Sequence, residues 1–192
     1  MTPSPQLTAV WRRTVSRLVV IGCGCLMFSQ AATTHAAPTP EYLIKAAYLY
    51  NFALFVEWPA DAFKAANAPL VIGVVGADPF DVALDRTIQN KRINRRPLVV
   101  RRLQWGQDLK RCHILFVSSS ESAKASDLAT RLGGLPILIV GETPGFARRG
   151  GTINFTIDDN KVGFEVNVNA AKRSRLNISA KLLNLARIVR GG

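Results

Sequence analysis

Cysteine and histidine are scarce in this sequence, whose 192 residues include three Cys and two His. Two of the cysteines and one histidine fall within the first 36 residues, so the remainder keeps only Cys112 and His113. One thiol cannot form an internal disulfide, and one Cys with one His cannot supply the three or four ligands of a zinc site. A Ser-His-Asp triad would have to use His113, which opens the apolar run 113–117 and is more typical of a core or strand-end residue. The sequence therefore predicts no metal site, no cofactor and no catalytic residue.

Acidic residues are absent from the first 36 positions, which instead carry three arginines. An apolar run over residues 18–28 and a stretch of small residues follow the arginines. This order is typical of a secretory signal peptide, and the run is shorter than the roughly 20 residues that span a bilayer. We predict that residues 1–36 are removed after Ala36 and that residues 37–192 are released into the periplasm.

Two other export signals stay open as weaker alternatives. Val20-Ile21-Gly22-Cys23 resembles a lipobox, which would make Cys23 a lipidated N-terminus, although only five residues separate it from Arg17. Arg12-Arg13 resembles the core of a twin-arginine signal, but the flanking residues match poorly.

Basic residues are plentiful and clustered. Residues 37–192 carry 22 Lys and Arg against 13 Asp and Glu, a formal charge of +9, and no acid follows Glu165. Six basic residues fall within 91–102, and six more follow Glu165. Such clusters favour nucleic acid in a cytoplasmic protein, but export argues against nucleic acid as a partner. Anionic lipid headgroups, an anionic cell-wall polymer, an acidic partner domain and a merely solvated basic face all remain open.

Periodicity predicts an alternation of strands and helices. Apolar, β-branched runs predict four strands, at 70–76, 97–103, 113–117 and 136–140. Helical spacing predicts helices at 41–57, ended by Trp58-Pro59, at 79–89 with Asp78 as N-cap, and at 122–132. The apolar face of the first helix is so wide that this helix is buried on most sides or contacts a second surface.

The pattern changes after residue 150. Residues 151–157 and 161–168 alternate with period two around a short turn at 158–160, which predicts an antiparallel hairpin. A final helix capped by Ser179 follows, in which Leu182, Leu185 and Val189 form one apolar stripe. We predict an α/β fold, a compact single domain at 37–192 with a central, mostly parallel sheet flanked by helices and a C-terminal antiparallel hairpin and helix.

Segments spread over nearly the whole of this domain resemble segments of the YfiR family. They are YLIKAAYLYNF (42–52), FVEWP (55–59), CHILFVS (112–118), Gly141-Glu142, FA (146–147), GGTINF (150–155), FEVN (164–167) and LNISAKLLNLAR (176–187). The resemblance implies a compact, often dimeric α/β domain. It also implies a non-catalytic periplasmic protein that represses a membrane-bound diguanylate cyclase by acting on its periplasmic region, in systems that often include a peptidoglycan-associated outer-membrane lipoprotein.

The sequence departs from the family at its cysteines. Better-known members carry paired cysteines whose disulfides couple stability to periplasmic redox state, whereas Cys112 has no partner after residue 36. We therefore expect no internal redox switch, and an intermolecular disulfide only if Cys112 is exposed.

Two loops invite a ligand interpretation. Residues 73–78 (GVVGAD) lie between a strand and a helix but lack the third glycine of a dinucleotide fingerprint and the ending of a P-loop, which favours a tight turn. Residues 118–122 (SSSES) follow the third predicted strand, where helix capping is the simpler interpretation. A periplasmic binding module for a small anionic ligand, held near Gly76 and residues 118–120, is the alternative function. A hydrolase is disfavoured because no Gly-x-Ser-x-Gly elbow or general base is present.

The hairpin and the final helix are the predicted partner-binding surface. The predicted residues are Phe155, Glu165, Asn167, Arg175 and Lys181. The four parallel strands and their helices can form a core without the hairpin, so one face of the hairpin, which carries polar residues, is available for a partner. Aromatic and Arg residues often contribute most of the binding energy at interfaces. The competing interpretation pairs Glu165 internally with Lys181 or Arg175.

Overall fold

A computed structural model describes residues 39–191, so the predicted signal peptide, residues 1–36, lies outside the described part of the chain. None of the helices between residues 39 and 191 has the length and apolar character needed to span a bilayer.

Strands and helices alternate through the described residues. The strands are β1 (Val56–Glu57), β2 (Leu70–Val75), β3 (Arg92–Ile93), β4 (Arg96–Leu103), β5 (Ile114–Val117), β6 (Leu138–Gly141), β7 (Ile153–Asp158), β8 (Lys161–Asn167), β9 (Asn177–Ile178) and β10 (Arg187–Val189). The helices are α1 (Pro40–Phe55), α2 (Ala83–Ile88), α3 (Ser122–Leu132), α4 (Val168–Arg173) and α5 (Ala180–Leu183).

Eight strands form one sheet in the order β10-β8-β7-β6-β5-β2-β4-β3. Strands β4, β2, β5, β6 and β7 run parallel, while β8 is antiparallel to β7 and β3 is antiparallel to β4. Strand β10 pairs in parallel with β8, and β1 and β9 form a separate antiparallel pair. The predicted fold class is confirmed.

Apolar side chains pack on both faces of the sheet. In β5, Ile114 and Phe116 face a core shared with α1 and α2, whereas Leu115 and Val117 face a core shared with α3. Burial on both faces explains why the central strands are continuous apolar runs rather than alternating ones.

Two predicted helices are shorter than the pattern suggested. Helix α1 ends at Phe55 because Val56–Glu57 pairs with Asn177–Ile178 as a strand. Helix α2 begins only at Ala83, since the Oδ1 of Asp78 accepts a hydrogen bond from the Phe80 amide within a preceding turn instead of capping the helix.

The C-terminal segment differs most from the prediction. Ser179 caps a helix as predicted, but α5 has only four residues, and residues 187–189 form β10 at the edge of the sheet. Helix α4, directly after the hairpin, was not predicted; its N-terminus is capped by the Asn167 side chain, which accepts from the Ala170 amide. The polar residue at the end of the strand thus starts a helix.

Candidate functional site

A cleft of about 490 Å³ opens at the carboxyl edge of the parallel strands. It lies between the first turns of α1, the loops after β5 and β6, and the hairpin β7–β8. Its polar and charged lining includes Glu41, Tyr42, Lys45, Glu142, Asn154, Glu165 and Arg187.

A buried ion pair forms one half of the cleft. Lys45 Nζ lies 2.7 Å from Glu142 Oε2, and both side chains are only 4% exposed. Lys45 also contacts Glu41 at 2.5 Å, one helical turn earlier on α1. The other Glu142 oxygen accepts a hydrogen bond from the Ser119 amide at 2.9 Å. Each buried charge therefore has an opposite charge or a hydrogen-bond donor, as burial of an ion requires.

Tyr42 also belongs to this network, through a hydrogen bond to the Glu142 carboxylate. Its hydroxyl donates to Glu142 Oε2 at 3.3 Å, and Lys45 Nζ lies 4.5 Å from the centre of its ring. Burial, followed by the negative charge of Glu142, raises the pKa of the Tyr42 phenol above its usual value. The phenol therefore stays a hydrogen-bond donor at every physiological pH.

The other half of the cleft lies across β7, β8 and β10. Sheet register places Glu165 directly opposite both Asn154 and Arg187. Arg187 Nη2 donates to Glu165 Oε1 at 2.6 Å, and the Glu165 side chain is 5% exposed. Asn154 is 1% exposed, and its Oδ1 has no hydrogen-bond partner among residues 39–191. A buried acceptor without a donor is unusual and normally has a reason.

The arrangement suits recognition of a hydrogen-bond donor. Three carboxylates, two cations and Asn154 line one opening, and among the described residues the Asn154 Oδ1 is a buried acceptor that lacks a donor. Among residues 39–191, no group of three or more His, Cys, Asp or Glu side chains has an arrangement that could hold a metal ion.

The predicted partner-binding residues are separated by the fold. Phe155 and Glu165 both line the cleft, although Phe155 is 3% exposed and packs mainly in the core. Asn167 is fully buried, caps α4 and donates to the Ala147 carbonyl at 2.8 Å. Arg175, paired with Asp61, and Lys181 are exposed and lie outside the cleft lining. Burial makes Asn167 a structural residue in this conformation.

The competing interpretation of Glu165 as an internally paired residue is confirmed, but both of the partners suggested for it were wrong. Neither Lys181 nor Arg175 contacts it; Arg187, from the strand that the sequence presented as helix, does so. Lys45, Glu142 and Asn154 also belong to the site and were not predicted from the sequence. The one available signal was a lysine at i+4 from Glu41 on the apolar face of a helix, a position where only a paired charge is tolerated.

The loops of the alternative anion site, near Gly76 and residues 118–120, pack against each other and share hydrogen bonds. Gly76 has φ of +94°, and a Cβ at this position would lie 2.6 Å from Ser120 Oγ. That hydroxyl already accepts a hydrogen bond from the Ala77 amide, and the Ser118 hydroxyl accepts one from the Ser120 amide. The capping and tight-turn interpretations of these loops fit the structure.

Cys112 is buried rather than exposed. It is 3% exposed, and burial raises the pKa of its thiol to about 11. A buried, protonated thiol is a poor nucleophile, so the condition for an intermolecular disulfide is not met in this conformation.

Comparison with known proteins gives one clear match. The sequence model of the family described as YfiR/HmsC-like matches residues 42–187, which include both halves of the cleft. No curated protein matches the chain significantly.

Proposed function

Because the chain belongs to the YfiR/HmsC-like family, whose members are regulatory rather than catalytic, we propose that it represses an inner-membrane diguanylate cyclase. The match over residues 42–187 is the observation that carries this proposal, and the family fits a periplasmic regulator of such a cyclase. The protein would bind the cyclase's periplasmic region and thereby lower cyclic di-GMP.

Gene deletion tests the regulatory proposal. Deletion should raise cellular cyclic di-GMP and promote surface attachment, and a cyclase-null background should abolish both effects. Complementation with the wild-type gene should restore the lower level. An unchanged dinucleotide level in the single deletion, while the cyclase is expressed, would contradict the proposal.

The cleft is the proposed contact for the cyclase. Its support is the unpartnered Asn154 Oδ1 beside Glu165, which would accept hydrogen bonds from an Arg, Lys or amide side chain of the partner. The exposed Arg175 and Lys181 lie outside this cleft, near the C-terminal end of α1, where Arg175 pairs with Asp61 and the Ser179 amide donates to the Phe55 carbonyl. They are proposed as a second, basic contact that attracts an acidic partner surface.

Substitutions in these residues separate binding from folding. Asn154→Leu and Glu165→Gln should weaken affinity for the cyclase's periplasmic domain by about tenfold or more, whereas Lys172→Gln, an exposed basic control, should not. Arg175→Ala and Lys181→Ala should mainly slow association at low salt. Normal melting temperature together with normal affinity would remove a residue from the contact.

A homodimer through α1 is part of the proposal. Leu43, Ala47 and Leu54 lie exposed at i, i+4 and i+11, with half-buried Tyr50 between them. These four side chains are uncharged, and Lys91 Nζ lies 4.0 Å from the centre of the Tyr50 ring. A self-complementary apolar face fits a second copy of the same helix in a two-fold contact. Leu43→Glu/Leu54→Glu should shift the sedimentation coefficient toward the monomer, whereas Leu185→Glu, at another exposed apolar residue, should not. A wild-type monomer at high concentration would contradict this contact.

Periplasmic export and a lipoprotein partner complete the proposal. The intact mass of the exported protein should correspond to a start at or near Ala37, and a lipid-modified Cys23 would contradict this. A peptidoglycan-associated outer-membrane lipoprotein, as in other systems of the family, is proposed as a further partner, and co-purification with it from crosslinked envelopes is the test.

A further inference from the structure

A second pocket lies at the opposite edge of the sheet from the cleft. It has a volume of about 270 Å³ and is formed at the amino ends of β2, β5 and β6. Its apolar lining includes Val71 and the buried Cys112 and Ile137, which we call its floor, together with Pro69 and Pro136. Because the strands are parallel, this pocket and the cleft lie at opposite ends of the same strands.

Among the described residues that line this pocket, four are exposed basic side chains, which we call its rim, and none is acidic. They belong to Lys64, Arg101, Lys110 and Arg111. Arg111 pairs with Asp108 at 2.8 Å, but within residues 39–191 no carboxylate forms an ion pair with the other three.

Arg102, the neighbour of Arg101 on β4, differs from Arg101 because it is paired with carboxylates. Its guanidinium contacts Asp78 at 2.8 Å and Asp85 at 2.5 Å. Arg102, which is not part of the pocket lining, is therefore paired, whereas Arg101 at the pocket has no carboxylate partner within the described part of the chain.

Inside the pocket, the polar groups of the chain are satisfied by one another. His113 Nδ1 accepts a hydrogen bond from the Val71 amide at 3.1 Å, and its Nε2 lies 3.2 Å from the Ala62 carbonyl. Burial, together with the charge of Arg96, lowers the pKa of His113, so the ring is neutral. The floor thus offers apolar surface, and the rim offers positive charge.

We propose that this pocket binds a small organic anion, a carboxylate or phosphate monoester carried on a compact apolar body. The apolar body would lie against Val71 and Ile137, and the anion would accept charge-assisted hydrogen bonds from Arg101, Lys64 and Lys110. The volume equals that of about nine water molecules, which suits an apolar body the size of one aromatic ring. This site is separate from the proposed cyclase contact and does not depend on it.

Titration of the exported, ¹⁵N-labelled protein with benzoate and with phenyl phosphate tests the proposal. Saturable shifts are expected at the amides of Val71, Cys112 and Ile137, with the Asn154 amide in the cleft unchanged. The two probes decide between carboxylate and phosphate monoester, and neutral benzamide should bind at least about tenfold more weakly, the factor that one charge-assisted contact contributes.

Matched variants distinguish binding at the pocket from non-specific attraction to the protein's positive charge. Arg101→Gln/Lys110→Gln should weaken probe binding by at least about tenfold, and Ala68→Trp, at the pocket wall, should abolish it with an unchanged melting temperature. Lys172→Gln/Arg190→Gln removes the same charge elsewhere and should leave affinity within about twofold.

Three results would overturn the proposal. They are equal weakening by both double variants, equal binding of benzamide, and shifts confined to the cleft. Binding only to vesicles containing phosphatidylglycerol, with no response to either probe, would instead identify a membrane-facing basic surface and would also contradict a small-molecule pocket.

Discussion

Lys45 is the buried charge on which the cleft depends. It is 3% exposed and lies between Glu142, itself buried, and Glu41, which is 39% exposed. Removing one partner of a buried pair leaves the other charge without compensation, whereas removing both can cost little. The two glutamates should therefore differ sharply in their contribution to stability.

Glu142→Gln should lower the free energy of unfolding by about 3 kcal/mol, because Lys45 would keep only the partly exposed Glu41. Glu41→Gln, the matched control, should cost less than about 1 kcal/mol. Lys45→Met/Glu142→Gln should recover more than half of the loss. Urea unfolding measures all three; equal effects of the two glutamate substitutions would show that burial does not govern this network.

Gly73 and Cys112 share one small space between β2 and the entry to β5. A Cβ on residue 73 would lie 2.5 Å from Cys112 Sγ and 3.0 Å from Leu115 Cδ1. Gly73→Ala should therefore destabilise the protein by about 2 kcal/mol through overpacking. Gly73→Ala/Cys112→Ala should regain most of this loss in thermal unfolding, and a double variant no more stable than the single one would contradict the steric account.

Individual site residues were only partly predictable. The alternation Phe164-Glu165-Val166-Asn167 correctly separated two apolar core residues from two polar ones, because side chains alternate across a strand. Burial of both polar residues could not be predicted, since it depends on Arg187 and Ala147, which are distant in sequence. Glu142 lacked any local signal because its partner lies 97 residues away.

At the scale of elements, prediction succeeded where the local pattern and the tertiary environment agree. The helix at 122–132 is observed as Ser122–Leu132, and the four central strands are observed with shifts of one or two residues. It failed at residues 187–189, where the apolar spacing fitted a helix but the edge of β8 was available for pairing. Tertiary pairing overrides a weak local preference in so short a segment.

The hairpin turn is an element whose geometry makes a sharp prediction. Asp159 and Asn160 have φ of +44° and +58°, and Asp158 pairs with Lys161 across them. Asn tolerates this left-handed backbone, but a β-branched residue does not. Asn160→Val should lower the free energy of unfolding by about 1–2 kcal/mol, whereas Lys161→Val, in the extended strand, should cost much less. Equal effects in urea unfolding would show that the turn is not the limiting constraint.

At the scale of the whole molecule, the sheet separates two chemically different ends. The carboxyl edge holds the acceptor-rich cleft, and the amino edge holds the cation-rimmed pocket. His113 belongs to the amino edge, where it also stacks on Phe63 with ring centres 4.3 Å apart. Through this stacking, His113 connects the loop before β2 with the residues that lead into strand β5.

This single histidine should give the stability of the protein a distinctive pH dependence. Its pKa is lowered in the folded state, mainly by burial, so the unfolded chain binds the proton more readily as pH falls below about 6.5. Stability should therefore be fully present above that pH and decline below it, by up to about 1.4 kcal/mol per pH unit. His113 is the only histidine after residue 36, so His113→Gln, although destabilising at pH 8, should flatten urea-unfolding free energies between pH 7 and pH 5. If the variant keeps the wild-type slope, carboxylates rather than His113 control stability in this range.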